Sequence, residues 1–267
     1  ELADYLKEDR HVVALSAGTA ALHLGLIELG AQTGDEVICQ SFTFAASANP
    51  IAYQSATPVY VDSEQDTWNM SPLFLEEAIK DRLRKTGKLP KAIIPVHLYG
   101  MPAKMDVIMA IASRYGIPVL EDAAEALGSE YRGRKCGTFG EFAALSFNGN
   151  KMITTSGGGA LVCRTEEQAK RTMFYATQAR ENAPHYQHEC IGYNYRMSHI
   201  CAGIGRGQMF VLDAHITRRR AIHRLSTELL KDMPGLEAQQ NPSEDFTSHF
   251  WLTCILDNQA MAGLHRA

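Results

Sequence analysis

Apolar positions along the chain repeat with two different periods. Short unbroken apolar runs, HVVALS (11–16), DEVICQ (35–40), TPVYVD (57–62), AIIPVHL (92–98) and IPVLED (117–122), read as buried strands. The stretches between them, SAGTAALHLGLIELG, TFAASANPIAYQ, PLFLEEAIKDRLRKTG and AKMDVIMAIASRYG, place apolar residues three and four apart, as helices with a buried face do. Such alternation predicts an α/β fold with a mostly parallel sheet covered on both sides. FAALSF (142–147) and GGALVCR (158–164) add two strands with no helix between them, which makes seven.

From about Ser198 to Met233 the pattern turns helical and increasingly charged, which predicts one long connecting helix leading to a smaller α+β domain. The division predicted is a large domain over 1–210, followed by the connecting helix and the start of an incomplete C-terminal domain over 211–267. Arg218, Arg219 and Arg220 read as a solvated helix face. HFWLTCILD (249–257) is strand-like with nothing after it to pair with, and residue 1 falls inside an amphipathic helix, so both ends read as cut.

Composition narrows the class without naming a chemistry. Of 267 residues, 45% are hydrophobic and 21% charged, which is ordinary globular composition. A net charge of −4 gives no support to a nucleic-acid or anionic-membrane surface, and no apolar run reaches the length of a membrane span. The six cysteines are scattered without a C-x-x-C pair, which is neither a zinc framework nor a disulfide scaffold. No metal site is expected, and scattered cysteines with a charged, helical opening predict a cytoplasmic protein.

Several residues could carry chemistry. Lys151, in SFNGNKMITTSGGG, sits between two strands and is either a surface cation or a reactive amine able to form a Schiff base with a carbonyl cofactor. Ser16-Ala17-Gly18-Thr19 follows the first strand and opens a helix, where free N–H groups and the Thr19 hydroxyl could hold a phosphate or simply cap the helix. Asp122 ends a strand and could bond a pyridinium nitrogen, or serve as the N-cap of a helix over AAEAL. Phe44 could stack on a planar ring or pack in the core. Ser146 and Asn194 could supply phosphate contacts, the latter being equally a turn former. The glycines at 157–159 would let backbone pass close to a ligand or shape a tight turn.

The order SAGTAALHL, DEVICQSFTFAASAN, PVHLYGMPAKMD, EDAAEALGS, SFNGNKMITTSGGG and GYNYRMS resembles the DegT/DnrJ-type sugar aminotransferases, pyridoxal 5'-phosphate enzymes of the aspartate aminotransferase-like fold (fold type I). EDAAEALGS, SFNGNKMITTSGGG and FYATQAREN followed by HYQH are similar to the branch that aminates C4 of a UDP-linked 4-keto-6-deoxy-N-acetylhexosamine, as in bacillosamine synthesis. The resemblance implies that Lys151 bonds the cofactor and then carries a proton between cofactor and substrate carbon. It implies that Asp122 pairs with the pyridine nitrogen, that Phe44 stacks on the ring, and that Gly18, Thr19 and Ser146 take the phosphate. Asn194 would reach the phosphate of a neighbouring subunit, which implies a homodimer with shared sites. Glu125 stands near the ring where the wider family has Gln or His, and Ser156-Gly157-Gly158-Gly159 replaces the usual G-E-G-G. Full-length relatives also carry an N-terminal segment that contacts the sugar nucleotide and a complete C-terminal domain.

The resemblance implies L-glutamate as donor and the UDP-keto-sugar as acceptor, with no nucleic acid and no membrane insertion. A C3-keto substrate or another nucleotide is a close rival. A sugar dehydratase on the same scaffold would carry histidine in place of Lys151. A catalytically silent, cofactor-binding regulatory protein is the rival outside enzymes.

Overall fold

In the computed structural model, which describes residues 1–258, the predicted alternation folds into one continuous sheet. The elements run α1 (Leu2–Leu6), β1 (His11–Leu15), α2 (Gly18–Glu28), β2 (Glu36–Gln40), α3 (Asn49–Tyr53), β3 (Thr57–Val61), α4 (Pro72–Thr86), β4 (Ala92–Ile94), α5 (Met105–Tyr115) and β5 (Leu120–Asp122). A short hairpin of β6 (Glu130–Tyr131) and β7 (Arg134–Lys135) precedes β8 (Phe142–Ser146) and β9 (Gly159–Cys163). Then come α6 (Glu166–Ala176), α7 (His199–Met209), α8 (Leu212–Leu230), β10 (Leu236–Ala238), β11 (Phe246–Thr247) and β12 (Ile255–Asp257).

Hydrogen bonding orders four strands β1-β9-β8-β5 and three β3-β2-β4. Parallel bridges Ile93↔Val119 and Val96↔Asp122 join β4 to β5, so the seven predicted strands form a single sheet. Only β9 runs against its neighbours, as a chain returning from β8 through a short loop must. β4 and β5 are shorter than their apolar runs because Pro95 and Pro118 lack the N–H a ladder needs. The backbone is nonetheless paired there: the His97 N–H donates to the Asp122 carbonyl, and the Val96 N–H to the Gln40 side chain.

The two faces of the sheet are covered by different helices. The apolar α2 lies over one face with Leu22, Leu24 and Leu26 fully buried, while Leu75 and Ile79 of α4 and Ile108 of α5 bury the other. Local signals set the limits of these helices. Ser71 caps α4 ahead of Pro72 and Gly87 ends it at φ 70°, and Thr165 with Gln168 forms a capping box on α6.

Several expectations are corrected. AAEAL forms turns rather than a helix, so Asp122 is no helix N-cap; its carboxylate instead accepts from the Ala124 N–H at 3.2 Å. TFAASANPIAYQ contributes a single 3-10 turn at Ala45–Ser47 and then the five-residue α3. The predicted connecting helix is two helices. Val211 leaves helical geometry (φ −109°, ψ 1°), which turns the chain so that Leu212 and Ile216 bury beside Phe147, Met152 and Ile153. Arg220 is not simply solvated, since its Nε donates to the Ser248 carbonyl at 3.0 Å. HFWLTCILD does have a partner, which precedes it: β12 pairs antiparallel with β10, Ala238 opposite Ile255. The last nine residues, QAMAGLHRA, lie outside the described residues. Among the described residues no helix is long and apolar enough to cross a membrane.

Candidate active site

A cavity of about 310 Å³ opens beyond the carboxyl ends of β1, β5 and β8, where open α/β sheets bind ligands. Gly18, Thr19, Phe44, Asp122, Glu125, Ser146 and Lys151 all line it, although 133 positions separate the first from the last. Asn194 does not: it is exposed and bridges to Thr177.

One wall is an anion cradle. The N-cap of α2 is Ala17, in extended backbone, and no side chain caps the first-turn amides. Those N–H groups and the positive end of the helix dipole point into the hollow. Glycine is required on both sides of this wall. A Cβ at Gly18 would lie 2.9 Å from the Ser146 Cβ, and one at Gly159 would lie 2.4 Å from the Ala17 carbonyl carbon and the Gly18 nitrogen. The β8–β9 pair therefore packs directly against the start of α2, with the Ser146 hydroxyl beside the free amides. Of the glycines at 157–159, Gly159 serves this backbone contact, while Gly157 and Gly158 line the cavity.

A second wall carries a buried carboxylate. Asp122 is 5% exposed; its Oδ2 accepts from the Ser47 hydroxyl at 2.6 Å, and Ser47 in turn bonds Thr43 at 2.7 Å. The Glu121 side chain points the other way and pins the strand end. It accepts from the N–H groups of Gly137, Phe139 and Gly140 and from His97 Nε2 at 2.9 Å. His97 Nδ1 accepts from the Ala103 N–H, so the ring proton sits on Nε2. Burial alone would raise the Glu121 carboxyl, yet His97 and the backbone donors outweigh it and hold the group below the ordinary carboxylate range.

Lys151 closes the cavity from the loop between β8 and β9. Its Nζ lies 3.2 Å from Glu125 Oε1 and 4.2 Å from the centre of the Trp251 ring, and only 13% of the side chain is exposed. Glu125 also accepts from the Tyr99 N–H at 2.8 Å. Burial pushes the Glu125 carboxyl up, with Asp122 adding to the rise, while Lys151 and the Tyr99 amide offset part of it. Phe44, 72% exposed, stands at the mouth on the turn before Ala45–Ser47.

The described residues fit pyridoxal phosphate. An uncapped helix start beside a serine hydroxyl suits the phosphate, a buried and braced carboxylate suits the pyridinium, and an amine held in the same hollow suits the aldehyde. Sequence reading missed Ser47, Thr43, the Tyr99 amide and Trp251. The first two lie within SFTFAASAN and could have been reached from that segment, but nothing local marks Trp251, exactly a hundred positions beyond Lys151 in the chain.

The chain is similar to known proteins over its whole length. Residues 1–267 match the model of the DegT/DnrJ/EryC1/StrS aminotransferase family, and the chain belongs to that family. EpsN of Bacillus subtilis (strain 168), named as a pyridoxal phosphate-dependent aminotransferase, is 50% identical over 92% of this chain and 63% of its own length. The GDP-perosamine synthase of Escherichia coli O157:H7 is 40% identical over 95% of this chain and 68% of its own length. The chain thus spans somewhat under two thirds of EpsN. Among solved structures, a family aminotransferase from Brucella abortus superposes with a TM-score of 0.89 at 32% identity, covering 97% of this chain and 69% of the other. DesV of S. venezuelae, solved in complex with a ketimine intermediate, superposes at 0.87 with 35% identity over 97% of this chain and 67% of its own. The fold is that of the fold type I pyridoxal phosphate enzymes.

Proposed function

We propose that this protein transfers an amino group from L-glutamate to the keto group of a nucleotide-linked sugar, using pyridoxal phosphate. The observation that carries the reading is the meeting of Lys151, Asp122 and the α2–Ser146 cradle around one cavity. When bound, the cofactor supplies an electron sink that lets a proton leave the carbon bearing the amine. Gly18, Thr19 and Ser146 would hold its phosphate, Asp122 would keep its ring nitrogen protonated, and Phe44 would cover its ring. Lys151 would anchor the aldehyde and, once released, carry the proton that leaves one carbon to the next. Glu125, 3.2 Å from that amine, would take up and return the proton charge as Lys151 changes state.

The finer reading is a UDP-linked 4-keto-6-deoxy-N-acetylhexosamine, aminated at C4 for surface-glycan or glycoprotein sugars. It is supported by EDAAEALGS, SFNGNKMITTSGGG and FYATQAREN. The 40% identity to a GDP-perosamine synthase makes a GDP-linked keto sugar the second reading. We also propose that residues 1–210 are the cofactor domain and 211–267 the start of the small domain. Two copies would share their sites: α7 has no buried residue and exposes Ile200, and Asn194, exposed outside the cavity, would serve the neighbouring copy.

The test supplies the protein with pyridoxal phosphate, L-glutamate and either the UDP-linked or the GDP-linked 4-keto-6-deoxy sugar, with the product read by mass spectrometry. Amino-sugar formation with the UDP substrate, lost in Lys151→Ala, is expected. Product from the GDP sugar alone would move the assignment to the second reading, and turnover that survives Lys151→Ala would refute both.

A further inference from the structure

The Lys151 amine has a second neighbour besides Glu125, and it comes from far along the chain. The Trp251 ring lies 4.2 Å from the Lys151 Nζ, on a residue only 6% exposed. Its indole N–H donates to the Asn150 carbonyl at 2.8 Å, so the ring is fastened to the residue next to the lysine it faces. A tryptophan that merely filled space would have no need of a bond to the lysine loop or of an ammonium against its face.

The segment that delivers Trp251 is itself tied down. Phe250 adopts φ 50°, a left-handed conformation unusual for an aromatic residue, which turns the chain between Phe250 and Trp251. Phe250 stacks on His223 of α8 with centroids 3.6 Å apart, and Ser248 Oγ donates to the Gly100 carbonyl at 2.9 Å. Gly100, at φ 89°, has no room for a side chain: a Cβ there would lie 2.6 Å from the His249 ring and 3.1 Å from the Trp251 nitrogen. Gly100 follows Tyr99, whose N–H holds Glu125. One short segment therefore seats both partners of the Lys151 ammonium, Trp251 directly and Glu125 through residues 99 and 100.

We propose that Trp251 is a positioning residue for Lys151, its indole face holding the amine toward Glu125 and the cavity so that it meets the cofactor aldehyde. The inference rests on Lys151 being the reactive amine of the proposed function. Holding the Lys151 side chain in one rotamer beside the cavity is worth a several-fold effect on an equilibrium. Phenylalanine keeps an aromatic face but loses the bond to Asn150 and part of the ring area, whereas leucine removes the π surface.

The test needs no turnover. Purified protein is mixed with pyridoxal phosphate, reduced with borohydride, and the modified lysines are counted by peptide mass spectrometry, with Lys80, 63% exposed, as internal reference. Lys151 is expected to be trapped far faster than Lys80 in the unsubstituted chain. In Trp251→Leu the ratio of Lys151 to Lys80 should fall about fivefold, and in Trp251→Phe it should stay within about twofold. Circular dichroism and the unfolding midpoint report whether each variant is folded. If Trp251→Leu does not fold, Trp251→Met, whose unbranched side chain adapts to irregular gaps and has no π face, takes its place. An unchanged ratio in the leucine or methionine variant, or a loss in Trp251→Phe as large as theirs, would overturn the proposal while leaving the reactive lysine in place. Equal trapping of Lys151 and Lys80 in the unsubstituted chain would overturn the reactive-lysine reading and this inference with it.

Discussion

Replacing Ser47 with alanine tests the bracing of the cavity carboxylate. Ser47 is fully buried and donates to Asp122 Oδ2 at 2.6 Å, while its oxygen also meets the Thr43 hydroxyl at 2.7 Å. A hydrogen bond to a charged group contributes about 1.5–3 kcal/mol, and its loss here leaves Asp122 with the Ala124 N–H as its remaining protein donor of those described. Truncation of a hydroxyl creates almost no cavity, so its bonds to Asp122 and Thr43, the first of them charge-assisted, account for nearly all of the change. The unfolding free energy in urea should fall by about 2 kcal/mol, equivalent to roughly 4–8 °C in melting temperature for a chain of this size. Ser41 supplies the control. It is exposed and bonds Asp62 at 3.4 Å, so Ser41→Ala should stay within about 0.5 kcal/mol of the parent. Pyridoxal phosphate affinity should drop in Ser47→Ala and not in the control. Equal stabilities for the two variants would refute the argument that Ser47 braces Asp122.

The anion cradle and the Glu125–Lys151 pair give two further expectations. Gly18→Ala places a methyl 2.9 Å from the Ser146 Cβ and 3.3 Å from its hydroxyl, so pyridoxal phosphate and inorganic phosphate should each bind about tenfold more weakly, about 1.4 kcal/mol. Titration followed by tryptophan fluorescence reads this, and unchanged affinities would remove the cradle from the account. Burial raises the Glu125 carboxyl, so its contribution to stability is present below the ordinary carboxylate range and is lost as pH rises through the raised value. Glu125→Gln lacks that titration, so its stability relative to the parent should increase as pH climbs from about 4 to 7. Urea unfolding across that range checks the sign, and a stability of Glu125→Gln that falls relative to the parent as pH rises would contradict it.

The hydrophobic pattern carried most of the sheet because its inner strands β2, β4, β5, β8 and β9 are buried on both faces and read as unbroken apolar runs, while helices such as α4 and α5 bury one face. Period and length alone distinguish such elements. The pattern failed where tertiary contacts decide. AAEAL has a helical composition but follows a strand whose last carboxylate binds the Ala124 amide, and the chain turns instead. The break at Val211 is set by the burial of Leu212 and Ile216, which no local signal records. HFWLTCILD seemed unpaired only because its partner, Leu236–Ala238, lies upstream, beyond residues 239–248. At the site, Lys151, Asp122 and the start of α2 stood out because each combines a functional group with a strand end or a helix start. Trp251 did not, because its position beside Lys151 depends on the bend at Phe250 and the close packing on Gly100.

The central claim is that Lys151 would anchor the cofactor aldehyde in this cavity and give it up to the amine of L-glutamate. The most direct measurement is the absorbance spectrum of the protein with pyridoxal phosphate, recorded before and after adding L-glutamate, with Lys151→Ala alongside. The account predicts that glutamate converts the visible band of lysine-bound cofactor to the near-ultraviolet band of pyridoxamine phosphate, with one equivalent of 2-oxoglutarate released, and that the variant shows no lysine-bound band. A lysine-bound band in Lys151→Ala, or a parent spectrum that glutamate leaves unmoved, would contradict it.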